Sequence, residues 1–260
     1  MHPMIQLALR AARSVIEHYD HVIERLDIAR QDRNVDELID HCAFRVEQAL
    51  QRQLKRGYPD FSFNGTHIRE EAQGDSTWVV NPLVGRDNLA RGYPACALSV
   101  ALYAAGRLEH VVIINPLSGQ EFIAGRGRGA SLNGRRIRVL TSWHAEQAHV
   151  AMPLPEMGVR MRMLPTYLDV QQYLGQQVAH LNTMNEPVLD LLAVAAGQLD
   201  AAIILGADMD ALAPALMVLK EAGGLYGDVS GAPNLGSDAR LLAANPKTFK
   251  ALVSGIRPVL

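Results

Sequence analysis

The chain has 260 residues, 48% of them hydrophobic and 20% charged, with a formal net charge of −2. That is the composition of an ordinary globular protein with enough chain to bury a sizeable core, as one large domain or two modest ones, and it offers no strong overall field to draw in nucleic acid or anionic lipid. The cations are unevenly typed, 21 Arg against 4 Lys, which favours planar bidentate contacts over diffuse solvation.

The first elements read as helices. Ile5, Ala8, Leu9, Ala12, Val15, Ile16, Tyr19, Val22, Ile23 and Leu26 keep one apolar face at helical spacing, predicting a single amphipathic helix over the first 25 or so residues with Pro3 near its start. Gln6, Arg10 and Arg13 interrupt that opening, so it is not the apolar core of a signal peptide. No window approaches the ~18 apolar residues of a membrane span, and the expected location is the cytoplasm. Val35, Leu38, Ile39, Cys42, Val46, Ala49 and Leu50 mark a second helix, ended by Gly57 and Pro59 in "RGYPD". Cys42 and Cys96 have no metal-ligand spacing and read as reduced core residues.

From residue 61 the pattern turns to short β-like runs, "FSF", "TWVV", "CALSVALYAA", "HVVIINP", "EFIAG" and "RIRVL". Asn133-Gly134 is the clearest hairpin turn among them. After about 143 the alternation becomes βαβ-like. "HVAMP" and "DAAIIL" read as strands; "VLDLLAVAAGQ", "MDALAPALMVLKEAGG" and "PKTFKALVSGI" read as helices. The expected organisation is one unit of residues 1–260, with an N-terminal α+β lobe of about 1–143 and a C-terminal α/β lobe of about 144–260 sharing an interface. The fold class is α/β.

The collinear segments "YPDFSFNG", "WVVNPLVGRDN", "RGYPACALSVAL", "GRGRGASLNGRRIRV", "LLAVAAGQLDA", "KEAGGLYGDVSG" and "LLAANPKTFKAL" make the chain resemble the inositol monophosphatase family, in its bacterial SuhB-like branch. The resemblance implies a layered αβαβα sandwich and a homodimer. It also implies a site in which clustered carboxylates hold Mg²⁺ ions, one making a water nucleophilic and another stabilising the leaving oxygen.

The expected ligands are largely replaced. The family's Gly-Glu-Glu turn falls on Gly65-Thr66-His67, and its Asp-Pro-Leu/Ile-Asp-Gly-Thr loop on Asn81-Pro82-Leu83-Val84-Gly85-Arg86. Its Trp-Asp pair falls on Asp210-Ala211, and a further acid of the second helix on Ala43. The substrate-contacting turn falls on Asn185-Glu186-Pro187 and a substrate-contacting Glu on Ile204. An amide lends a cation one lone pair; a valine lends none. Catalytic residues and a resident metal are therefore expected to be absent.

Glu70, Glu71 and Asp210, with Asp75, Asp208 and Asp87, are the acids from which a relocated Mg²⁺ site would be recruited; otherwise they are solvated loop residues or helix-terminus partners. Arg86 is expected either to fill the space left by the metals, paired with Asp87 or nearby carbonyls, or to stand exposed. Arg126, Arg128, Arg135, Arg136 and Arg138 form a basic ribbon that could meet RNA, but no aromatic residues are interleaved for stacking.

Three functions follow as expectations. One is a catalytically silent protein that works through surface contacts, the resemblance implying transcription antitermination with a Nus factor and RNA polymerase as partners. Another is a Mg²⁺-dependent inositol-1-phosphate phosphatase with a weak or relocated site. The third is a sensor whose altered pocket, with Arg86 and His67 at its mouth, binds an anion without hydrolysing it.

Overall fold

The structure is a computed structural model that describes residues 2–71, 74–183, 186–206, 208–232, 234–235 and 239–260. The chain divides into two compact units, Met1–Arg135 and Arg136–Leu260.

The first unit opens on α1 (Pro3–Arg13), α2 (Glu17–Gln31) and α3 (Val35–Gly57). The single helix predicted over the first 25 residues is in fact two, and the second runs on to Gln31. The break has a local cause. Ser14 Oγ bonds back to Ala11 O at 2.7 Å, and the amides of Val15 and Ile16 reach only to Ala12 and Arg13, three residues back. A hydroxyl competing for the carbonyl ladder and two β-branched residues in succession turn the chain there. Next come β1 (Ser62–Asn64), β2 (Ser76–Val84), the short α4 (Arg86–Ala90), β3 (Ala97–Ala104), β4 (Arg107–Asn115), β5 (Gln120–Gly125), β6 (Gly129–Leu132) and β7 (Arg135–Arg136). They form a seven-stranded sheet in sequence order, β1 parallel to β2 and β2 to β6 an antiparallel meander. Asn133 and Gly134 both take positive φ, 49° and 77°, the conformation a two-residue hairpin turn requires. Trp78, Val80, Leu98, Val100, Leu102, Val112 and Ile114 are buried with Ile5, Leu9, Tyr19, Ile39, Val46 and Leu50 in one core.

The second unit holds β8 (His149–Ala151), α5 (Met157–Gln177), β9 (His180–Asn182), α6 (Pro187–Ala195), β10 (Ala201–Leu205), α7 (Met209–Glu221), β11 (Leu225–Asp228), β12 (Arg240–Ala244) and α8 (Pro246–Ile256). Its sheet runs β11-β12-β10-β8-β9. The βαβ alternation is present in the parallel pairs of β8 with β9 and β10, and β12 enters antiparallel beside β10. Sequence reading missed α5, whose interior Pro165 looks like a helix breaker. Met163, Tyr167, Val170 and Leu174 nevertheless seat it in the second core. The fold is thus α/β, two sheets flanked by helices. Among the described residues no helix is long and apolar enough to cross a membrane, and both cysteines are free and buried.

Candidate functional site

The loop between β2 and α4 is built around a proline. Pro82 has no N–H to give the ladder, and the register with β3 shifts between Asn81 and Val84, so a bulge forms there. Asn81 Oδ1 accepts from Leu83 N at 3.0 Å, closing an Asx turn. The hydroxyl of Tyr19, on α2 and fully buried, donates to Pro82 O and pins the loop from beneath. Val84 is buried, and Gly85 takes φ +74° at the head of α4. Asn81 Oδ1 and Pro82 O are thus committed to holding the shape of the loop.

Arg86 is neither paired with Asp87 nor fully exposed; it is part-buried and bound to α3. Its partners are Asp40 Oδ1, 2.5 Å from Nη1, and Asp36 Oδ1 and O, 3.2 and 3.4 Å from Nη2. Asp87, the expected partner, lies exposed in the first turn of α4. Asp36 and Asp40 are one turn apart on α3 and present both carboxylates to one guanidinium fork, a pairing that an immediate chain neighbour is poorly placed to make.

Two turns beyond Asp40 on α3, past the buried Ala43, Glu47 is 0% exposed. Its carboxyl accepts from Thr66 N at 3.1 Å and from His67 N at 2.9 Å, and it also takes Ile68 N; His67 Nδ1 lies 3.1 Å from Oε2. A Cβ on Gly65 would stand 2.1 Å from Glu47 Oε1, so any larger residue there would have to displace the carboxyl. The turn that carries two acids in the family's pattern is therefore filled by one carboxyl from the helix below. Sequence reading missed Glu47, although an acid on the stripe of Ile39, Ala43, Val46 and Leu50 was the available signal.

The relocated-ligand candidates are placed as follows. Glu70 accepts from Gln51 Nε2 at 2.8 Å, Lys55 Nζ at 3.0 Å and Phe63 N at 3.1 Å. Burial alone would raise its pKa, but the bonds from Lys55 and Gln51 carry it below the usual value. Glu71 and Asp75 are exposed. In the second unit the cap of α7 is Asp208, whose Oδ1 accepts from Asp210 N at 3.0 Å and Ala211 N at 3.3 Å, while Asp210 lies exposed in the first turn. Among the described residues no group of three or more His, Cys, Asp or Glu is arranged to hold a metal ion. The donors present do not suit a hard cation, because an amide already engaged, a valine and two alanines offer no anionic oxygen.

Of the family's substrate-contacting turn, Asn185 lies outside the described residues. Glu186 caps α6 through Val188 N at 3.3 Å, and Pro187 is the first helical residue. Ile204 is a buried residue of β10. One turn after Glu186, Asp190 is 0% exposed, and among the described residues neither of its carboxyl oxygens has a partner. Burial, then the neighbouring Glu186, push Asp190 up to about 7. Burial likewise lifts Glu186 to about 7. An aspartate inside the apolar run "VLDLLAVA" was the sequence signal for this pair. On the basic ribbon, Arg126 is held by Leu108 O at 2.6 Å and by Glu109 at 3.1 Å.

The Nus factor SuhB of Pseudomonas aeruginosa is 36% identical over 265 residues, covering 100% of this chain and 98% of that protein. Its namesake in Escherichia coli K12 is 28% identical, with the same coverage of both chains. Crystal structures of the extragenic suppressor protein SuhB from Bartonella henselae and of an inositol monophosphatase from Anabaena each superpose with a TM-score of 0.80. The first is 23% identical over 99% of both chains; the second is 20% identical over 98% of this chain and 96% of the other. These two carry the fold alone. The sequence profile of the inositol monophosphatase family matches residues 1–258, and with the β2–α4 loop and the Gly65 turn in their places, the chain belongs to the inositol monophosphatase family.

Proposed function

We propose that this protein is a non-hydrolytic member of its family that acts through protein contacts in transcription, as a Nus factor of the SuhB kind. The observation that carries the reading is the turn at Gly65–Ile68, where Glu47 from α3 spends its carboxyl on backbone amides. The companion loop supports it, since Asn81 caps Leu83 and Arg86 is paired with Asp36 and Asp40. Holding the cations that offset the charge of a phosphate ester requires anionic oxygens free to turn toward them; at the Gly65 turn the carboxyl of Glu47 is spent on backbone amides, and at the β2–α4 loop Asn81 offers only a neutral amide. Relatives named Nus factor SuhB match the chain over its full length, which favours RNA polymerase and another Nus factor as partners. The family resemblance favours a cytoplasmic homodimer.

The test pairs two measurements on the purified full chain. Incubation with inositol-1-phosphate and excess Mg²⁺ should release no phosphate above a blank. A tagged copy should retain RNA polymerase or a Nus factor and raise read-through on a ribosomal RNA leader reporter. Metal-dependent turnover abolished by Glu70→Gln or Asp210→Asn would overturn the non-hydrolytic reading, and a deletion that leaves read-through unchanged would overturn the transcription role.

A further inference from the structure

Helix α3 has two working faces. Asp36, Asp40 and Glu47 serve the β2–α4 loop and the Gly65 turn. Leu38, His41, Cys42 and Arg45 instead face α2 across a groove of about 660 Å³, which His18, His21, Val22, Arg25, Ile28, Ala29 and Asp32 line from the other side. That volume lies in the range of small-molecule sites. The three residues joining α2 to α3 make the pair an antiparallel hairpin, so charge along the groove is segregated. Asp32 and Glu37 sit at the connected end; His18, His21, Arg25, His41 and Arg45 gather toward the open end.

Toward the open end the lining is basic in type, and the nearest acid in it is Glu37, one turn from His41. Among the described residues neither Arg25 nor Arg45 makes an ion pair or hydrogen bond. His18, half-buried, has its pKa lowered first by burial and then by Arg45, with His21 and His41 adding to the effect and Glu17 opposing it. Like charges that crowd one another this way are relieved by a bound anion, and a guanidinium fork matches phosphate oxygens in pairs. Arg86 and His67 do not offer this, because Asp36, Asp40 and Glu47 already occupy them.

We infer that the α2–α3 groove is a binding site for a small phosphorylated molecule, with Arg25 and Arg45 taking phosphate oxygens and His18, His21 and His41 lining the same end. Val22, Ile28 and Leu38 form the apolar wall against which the rest of such a ligand rests. The site is separate from the family's metal loop and independent of the transcription role proposed above.

Calorimetric titration of the full chain with pyrophosphate and with ADP, at constant ionic strength, tests the site. Saturable binding of either probe is expected, weakened about tenfold or more by Arg25→Glu with Arg45→Glu and unchanged by Arg136→Glu on the ribbon. If the charge-reversed pair does not fold by circular dichroism, the single change Arg45→Gln replaces it, with several-fold weakening expected. Absence of saturable binding, indifference to these substitutions, or affinity for a short RNA oligonucleotide without affinity for either small probe would overturn the proposal.

Discussion

Replacing Asp190 by asparagine isolates the cost of one buried acid. Neither oxygen of Asp190 has a hydrogen-bond partner among the described residues, and the residue is wholly excluded from solvent on α6. Its carboxyl therefore protonates near pH 7, against 3.8 ordinarily. A difference of about three pH units at about 1.4 kcal/mol each amounts to about 4 kcal/mol. The folded-state pKa is raised, so the folded protein holds the proton more tightly than the unfolded chain. That contribution to stability is complete below about pH 4 and is lost as pH rises through about 7. Urea midpoints of the wild type should fall across about pH 5 to 8, and Glu186, whose carboxyl is also lifted to about 7, should steepen the fall. Asp190→Asn keeps the shape and cannot ionise. Its midpoint should vary less with pH and should exceed the wild type's at about pH 8, even if the amide is less well accommodated at pH 5. Parallel profiles for the two proteins, or a wild type that gains stability with rising pH across that window, would refute the reasoning.

Other consequences concern the first unit. Glu47→Ala strands the amides of Thr66, His67 and Ile68, and should cost about 3 kcal/mol in urea unfolding, the scale for losing a buried acceptor. Gly65→Ala should cost a comparable amount, because its methyl would meet the same carboxyl. Arg86→Ala should cost under about 1 kcal/mol, and less at high salt, since its partners Asp36 and Asp40 are 89% and 60% exposed. Burial pushes the Cys42 thiol up to about 12, so alkylation by iodoacetamide at neutral pH should be negligible until denaturant is added.

The elements that sequence marked best were those whose local signals agreed. Pro246 to Ile256 carries an asparagine cap, a proline at the first helical position and an apolar stripe, and α8 occupies that span. At the end of α7, Gly223 and Gly224 return their amides to Lys220 and Leu219, the closure that two successive glycines announce. Local rules failed where one residue contradicted its surroundings. The apolar stripe of the first helix runs unbroken through Ser14, whose back-bonded hydroxyl divides it, and Pro165 hides a helix that tertiary burial of Tyr167, Val170 and Leu174 enforces.

The amino-acid sequence by itself determined the family, the alternation of elements and the chemical identity of the altered loops, because residue type and spacing are local properties that do not depend on what packs nearby. Only the tertiary structure decided which groups those residues meet. Arg86 is captured by two aspartates 46 and 50 residues away in sequence, and Glu47 supplies from the same helix the carboxyl that holds the turn after Gly65. Partner choice of that kind follows from which faces of α3 lie against the loops and which against α2, and periodicity shows that a helix has faces without showing what each one will touch.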